Sequence, residues 1–477
     1  MVETLTHFVA GASRPPATDA FLDKCDPRTG QAVARVAKGS PQDVDVAVTA
    51  AQSAFRDWAD RRPIERGRIL LEIARGLRAE AASFADVEGR EAGKPPWQGP
   101  IEVEGAAQYF EFYGGLVNTG HGEVINLGSG YHSYTRREPF GVVGVILPWN
   151  APLNQAARAI APALAAGNTI VAKPSEETSG TLVKLAELAV RCGLPAGVLN
   201  VVLGLGAEVG AAIVQHPSVR KVAFTGSVRA GREIGHIAAE RILPLTLELG
   251  GKSPNIVFED ADLQAAVPGA LRAFVLNAGQ ICLAGTRLLV QASIVERFVE
   301  ALAAAAGQVK VGPEPDALVG AITTRAQYER VLSYFEIASA EGARAVVGGR
   351  PYEEARLQAG WFVPPTVYVD VKPDMRIARE EVFGPVVVVL PFEDEADAIR
   401  IANDTDYGLA AGIWTRDLAR AHRVAAALEA GQIYVNEYQA GGVETPLGGY
   451  KMSGYGREKG VEALHHYTQL KCVTIKL

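Results

Sequence analysis

From residue 141 onward, short runs of contiguous apolar residues alternate with longer runs in which apolar positions recur every three or four residues. The stretch "GVVGVILPW" (141–149) is apolar throughout, as suits a strand buried on both faces. It is followed by "LNQAARAIAPALAAG" (153–167), whose helical period closes on Gly167. The same alternation repeats through the strand "NTIVAKP", the helix "TLVKLAELAVRCG", the strand "VLNVVLG", a helix to His216, the strand "KVAFTG", a helix from Ser227 and the strand "LTLELGG". Strands alternating with helices across short joints predict a parallel sheet covered by helices. A second alternating region starts near "PNIVF" and runs to about residue 450. The fold class is therefore α/β.

The first third reads differently, as helices. "SPQDVDVAVTAAQSAFRDW" opens with Ser40 as an N-cap, Pro41 at the first helical position and Asp43 in the first turn. "PIERGRILLEIARGLRAEAASFADVEGREAG" continues the helical period, with Ile69, Leu70, Ile73 and Leu77 on one face. Between the helical third and the alternating region lies "GEVINLGSGYHSYTRREPFG", polar and turn-rich, which predicts a projecting hairpin. The final "LKCVTIKL" alternates apolar and polar positions like an edge strand.

Composition narrows the classes. At 477 residues the chain implies two or three domains. It is 48% hydrophobic and 21% charged, the profile of a soluble globular protein. The net charge of −7 gives no basic footprint for nucleic acid. The longest apolar runs, "GVVGVILPW" and "FGPVVVVLPF", are far shorter than the ~20 residues of a membrane helix. "MVETLTHFVAGASRPP" lacks the pattern of a secretory signal. Four cysteines in so long a chain do not make a disulfide scaffold, so a cytoplasmic protein with reduced thiols is expected. There is no CxxC or HExxH, and the pair His465–His466 has no third ligand nearby, so no metal site is expected.

Candidate chemistry sits where the predicted strands end. "NAGQICLAGTR" holds Cys282 among small residues, either as a packed thiol or as a nucleophile. "LELGGKSPN" places Glu248 at a strand end, and "LPWNAP" places Asn150 just past another. "KPSEET" puts Lys173 and Glu176 at the end of a third strand, and "FTGSVRAG" puts Gly226, Ser227 and Gly231 where a strand becomes a helix. Ligands of open α/β sheets bind beyond the carboxyl ends of the strands. Taken singly, each has a bland alternative: a surface carboxylate, a turn-forming asparagine, ordinary joint glycines. "GSVRAG" is also not the G-x-G-x-x-G fingerprint.

Together, "PWN", "KPSE", "FTGS", "LELGGK", "GQIC", "EEVFGPV", "YGLAAGIWTRD" and "PLGGYKMSGYGRE" make the chain resemble the NAD(P)-dependent aldehyde dehydrogenases over most of its length. The resemblance implies a Rossmann-like NAD-binding domain (1–121 and 141–249), an α/β catalytic domain (250–449) and a small β oligomerisation element (122–140 and 450–477), in a homodimer or homotetramer. By the same resemblance Cys282 is the nucleophile, Asn150 and the Cys282 N–H form the oxyanion hole, and Glu248 is the general base. Lys173 and Glu176 meet the adenosine ribose, and Gly226, Ser227 and Gly231 the pyrophosphate. Trp149, Leu249, Glu381 and Phe383 surround the nicotinamide half. NAD is favoured over NADP because the Glu176 carboxylate repels a 2′-phosphate.

Many members of that family carry a lysine nine residues after the asparagine, near the glutamate of "GRE". Here Ala159 stands there, so Glu458 is expected to lose its partner. Ala151, Arg158, Leu276, Ile281, Leu283 and Leu447 are expected to line the substrate tunnel and to favour an apolar, aromatic or terpenoid-like small-molecule aldehyde. Arg158 is expected either in a salt bridge or against the tunnel wall or a substrate oxygen. Alternatives are a semialdehyde dehydrogenase for an anionic aldehyde, a CoA-acylating relative, a thiol hydrolase without NAD, and a structural protein descended from the fold. Retention of Glu248 favours hydrolysis over acyl transfer to coenzyme A. No membrane partner is expected.

Overall fold

The computed structural model describes residues 2–477. Two large sheets organise it. The first has eight strands, with a parallel centre in the order Leu245–Glu248, Val219–Thr225, Val142–Ile146, Thr169–Lys173, Leu199–Val201. The antiparallel strands His7–Val9 and Ala12–Arg14 extend one edge, and Gly454–Tyr455 closes the other against Leu247 and Glu248. Gly454 has φ +110°, and a Cβ there would collide with the Leu247 carbonyl, so this approach of two backbones requires glycine. The second sheet has seven strands in the order Arg344–Val347, Thr366–Val369, Val386–Phe392, Arg287–Gln291, Pro254–Val257, Ala410–Trp414, Gln432–Val435. All its neighbours are parallel except the first pair.

The central strands are buried on both faces, as their unbroken apolar runs require: Val142–Ile146 and Thr169–Lys173 are buried at every residue. The helix Pro152–Ala165 is buried at every position but Asn154, which its alanine-rich sequence permits by allowing close approach to the sheet and to the helix Gln98–Leu116. Full burial of Leu153, Ile160 and Leu164 contributes roughly 1.5–3 kcal/mol each. The helix stops at Gly167, whose φ is +92°.

Several elements depart from the sequence reading. The N-terminal third is not only helical: Glu3–Leu5, Ala32–Ala37 and Phe21–Cys25 form a three-stranded sheet before the first helix. These strands, three to six residues long, carry no sustained alternation of apolar and polar positions. The helix Pro41–Ala59 starts where expected, with the Asp43 carboxylate accepting from the Ser40 N–H at 2.9 Å. The run after it breaks at Glu80 into Pro63–Ala79 and Ala81–Ala92. The hairpin is present, Val124–Ile125 pairing with Tyr131–Pro139, and the final strand Thr468–Lys476 pairs along all nine residues of Tyr131–Pro139. Among the described residues no helix is long and apolar enough to cross a membrane, and no group of acidic, histidine and cysteine side chains is placed to hold a metal.

Candidate active site

The carboxyl ends of the first sheet's strands face the second sheet across a cleft of about 460 Å³. Asn150 enters it from the turn after Val142–Ile146, Glu248 from the last residue of its strand, and Cys282 from a loop of the second sheet's layer. Trp149, Gly226, Ser227, Leu249, Glu381 and Phe383 line the same cleft. Half of the residues singled out in the sequence therefore converge on one place, with Asn150, Glu248 and Cys282 brought together across separations of 98 and 34 positions along the chain.

The nucleophile loop is built on unusual backbone. Asn277, Ala278 and Gly279 hold φ values of +51°, +54° and +71° in succession. Such strain clusters at functional sites, where surrounding contacts over-determine it. Here Asn277 Nδ2 donates to the Asn150 and Gln280 carbonyls at 3.0 and 3.1 Å, and a Cβ on Gly279 would overlap the Gly384 backbone. Asn150 Nδ2 donates to the Gln280 carbonyl at 2.9 Å, which fixes its amide and leaves its second hydrogen unengaged.

The electrostatics of this end are those of buried charge. Burial, with the Glu458 charge behind it, pushes the Glu248 carboxyl up to about 8, and Arg158 opposes the shift. Glu248 Oε1 has no hydrogen-bond partner in the protein. Burial also pushes the Cys282 thiol up to about 12, against the pull of Arg158. Glu381, whose Oε1 accepts from the Gly251 N–H at 3.0 Å, is raised by burial to about 7.

Arg158 corrects two expectations. Its Nε abuts Glu458 Oε2 in a buried ion pair, so Glu458 does have a partner despite Ala159. The guanidinium also donates from Nη2 to Gln155 Oε1 at 2.5 Å and Thr225 Oγ1 at 3.2 Å. Its donors are thus directed into the protein rather than to a tunnel wall or substrate oxygen, because a buried carboxylate demands a buried cation. One helix position earlier than the lysine site, a longer side chain reaches the same glutamate. Burial disfavours the charged guanidinium, yet the Glu458 carboxylate holds its pKa above the ordinary value. Leu447 is buried and exchanges backbone hydrogen bonds with Glu458, while Ala151, Leu276, Ile281 and Leu283 are half-buried.

Lys173 and Glu176 lie outside the cleft's lining, joined to each other at 2.9 Å with Glu176 about one-third exposed. Ser227 caps the helix Val228–Ala239, accepting from the Ala230 N–H at 3.3 Å, and Gly231 packs on Leu249 in its first turn. Trp149 and Phe383 meet edge to face, their centroids 5.4 Å apart, with Phe383 itself at φ +58°.

Sequence reasoning missed Gln155, Thr225, Arg229, Gln327, Arg330 and Tyr407, which all line the cleft. Gln327 Nε2 donates to the carbonyls of Val382 and Phe383, and Arg330 Nη2 to that of Glu381, so both hold the Glu381–Phe383 loop from the helix Arg325–Ala340. Their sequence, "TTRAQYERV", carries no motif. Thr225 was the exception in principle, being the strand residue just before Gly226.

With the geometry in view, comparisons with known proteins agree on the class. The model of the aldehyde dehydrogenase family matches residues 14–473, and the chain belongs to that family. It is 45% identical to a betaine aldehyde dehydrogenase of Cereibacter sphaeroides, over 98% of this chain and 97% of the relative. It is 42% identical to the human 4-trimethylaminobutyraldehyde dehydrogenase, over 99% and 96%. Among solved structures, an indole-3-acetaldehyde dehydrogenase in complex with NAD+ superposes with a TM-score of 0.98 at 40% identity, covering 100% of this chain and 97% of the other.

Proposed function

We propose that the chain oxidises an aldehyde to the carboxylic acid with NAD+, by way of a thiohemiacetal and then a thioester on Cys282. The observation that carries this reading is the convergence of Asn150, Glu248 and Cys282 on one cleft with Trp149, Glu381 and Phe383. Cys282 Sγ attacks the carbonyl carbon, and the oxygen that gains charge is held by the free Asn150 amide hydrogen and the Cys282 N–H. One such donor is typically worth ~3 kcal/mol. With its thiol pushed to about 12, Cys282 must pass its proton to a base as it attacks, and Glu248 is the carboxylate placed to take it. Bound NAD+ supplies the acceptor for the hydride that leaves the thiohemiacetal carbon. Glu248 then takes a proton from the water that hydrolyses the thioester, and the thiol is restored. A carboxyl raised to about 8 suits a base working near neutrality.

The residues present fit the cofactor. The Glu381 carboxylate is aimed at the cleft and suits ribose hydroxyls, and the N–H groups of the helix start at Ser227 suit a pyrophosphate. Lys173 and Glu176 suit the adenosine ribose, with Glu176 disfavouring NADP. The domain division stated above is part of the proposal. So is a homodimer or homotetramer formed through the outer sheet, where Val124, Leu127, Leu470, Ile475 and Leu477 are exposed.

For the substrate, the finer proposal is an aldehyde with an apolar or aromatic body. Tyr434 and Tyr438 lie with ring centroids 5.3 Å apart, and Tyr438 donates to the carbonyl of Leu283, the residue after the nucleophile. The solved indole-3-acetaldehyde dehydrogenase supports it. A second reading, a trimethylammonium aldehyde, is favoured by the names of the curated relatives and by the suitability of tyrosine faces for such cations. The test is NADH formation at saturating NAD+, with kcat/KM ranked over benzaldehyde, phenylacetaldehyde, betaine aldehyde, 4-trimethylaminobutyraldehyde and succinate semialdehyde. Aromatic aldehydes leading supports the first reading, and the quaternary ammonium aldehydes leading replaces it with the second. A leading succinate semialdehyde removes both, and NADH formation with none of them counts against the activity itself.

A further inference from the structure

We propose that Gln98 and Asn277 are positioning residues that set Asn150 against Cys282, as the far end of a buried polar strut anchored on Lys94. The inference rests on the reading of Asn150 as an oxyanion donor.

The strut begins behind the first sheet. Lys94 Nζ, almost wholly buried, donates to Glu88 at 2.8 Å and to Glu102 at 3.0 Å. The second oxygen of Glu88 accepts from the Leu153 N–H at 3.0 Å, in the first turn of the helix that follows Asn150. Glu102 also accepts from Gln98 Nε2, at 3.2 Å, and the same amide donates to Asn277 Oδ1 at 3.0 Å. Asn277 then donates to the Asn150 and Gln280 carbonyls. Gln280 is held in turn by the Thr323 N–H at 2.9 Å, and its carbonyl receives the Asn150 amide. One ammonium thus governs both turns that must meet: the Asn150 turn through Glu88, and the nucleophile loop through Glu102, Gln98 and Asn277.

These bonds exceed what joining two layers requires. Apolar packing would join them without burying a lysine and two carboxylates, groups that are costly to bury unless each is paired. What directional bonds add is fixed spacing. The loop they fix is the one whose left-handed backbone would otherwise relax, and a displacement of about 1 Å near the reacting atoms costs on the order of 100-fold in rate.

A double-mutant cycle tests it. Asn277→Asp keeps the size and the tolerance of left-handed backbone but loses both N–H donors. It is expected to lower kcat/KM by about 30- to 100-fold, with the dissociation constant for NAD+ unchanged. In an Asn150→Ala background the same change is expected to cost less than about threefold, because it acts through Asn150. Gln98→Leu, which leaves the loop's own residues intact, carries the same cycle should Asn277→Asp not fold, with about tenfold expected where Asn150 is retained and less than about threefold in Asn150→Ala. Equal losses in both backgrounds would overturn the positioning role and leave a purely structural one. An Asn150→Ala protein as active as the wild type would instead overturn the oxyanion reading, and the inference with it.

Discussion

The cleft around Cys282 and the Lys173–Glu176 pair outside its lining are built on opposite terms. At the Cys282 end the charges beside the half-buried thiol are enclosed: Glu248, Glu458 and Arg158 are at most a few per cent exposed. Burial there lifts Glu248 and Cys282 far from their ordinary values, while the Glu458 carboxylate keeps Arg158 charged against it. At the Lys173–Glu176 end a lysine reaches one carboxylate that is one-third open to water. Charges in the dry end interact strongly and cannot be rearranged cheaply, whereas charges in the wet end are screened. On the proposed function, bond-making falls at the first and discrimination between similar cofactors at the second.

Four experiments can break or sharpen that contrast. The largest effect is expected from Cys282→Ala, which should reduce aldehyde oxidation by at least about 10⁴-fold while NAD+ binding, followed by fluorescence titration, stays unchanged. Residual turnover at a tenth of the wild-type rate would move the chemistry elsewhere. Next, Arg158→Ala leaves Glu458 buried without its cation and should cost about 3–5 kcal/mol in urea unfolding, whereas an exposed pair would cost below about 1 kcal/mol. A loss in the lower range would mean that this end is wetter than the structure has it.

The third experiment reads Glu248 by pH. Its carboxyl is raised to about 8, so the base form is gained as pH rises through 8 and lost below it. The rate of thioester hydrolysis should therefore climb tenfold per pH unit below about 8 and level off above it. In Glu248→Gln that limb should vanish, and because the Cys282 proton then lacks its acceptor, the NADH burst should be lost with it. A limb near pH 4.5 would show a solvated carboxylate and would remove the dry-end explanation. The smallest effect is expected at the wet end: Glu176→Ala should raise kcat/KM with NADP relative to NAD by only about 3- to 10-fold, since one screened charge is involved. A switch of several hundredfold would show that this end is not screened.

How much of this was legible in the sequence follows the same division between local and distant causes. The parallel sheets were legible because unbroken apolar runs such as "GVVGVIL" report burial on both faces, and Asn150, Glu248 and Cys282 because each follows such a run or sits in a short motif. Arg158 was legible as a residue but not as a partner. Its pairing with Glu458 depends on the helix Pro152–Ala165 meeting a segment three hundred positions away, and spacing from Ala159 pointed to an unpaired glutamate instead. The strands before Pro41 were invisible for a different reason: three to six residues each, they pair mostly with one another and carry no sustained apolar alternation. Gln327 and Arg330 lacked any signal, since they hold carbonyls, and a carbonyl has no residue type to advertise it.

The closing of the first sheet by Gly454–Tyr455 bears on how the protein comes to exist. During synthesis the strand that ends in Glu248 leaves the ribosome long before its neighbour is made. The hairpin strand Tyr131–Pro139 must likewise wait for Thr468–Lys476, synthesised more than three hundred residues later. Until then both present bare edges, which invite pairing with other nascent chains. Maturation of this enzyme therefore waits on residues 454–476, and removal of residues 453–477 would expose both edges at once.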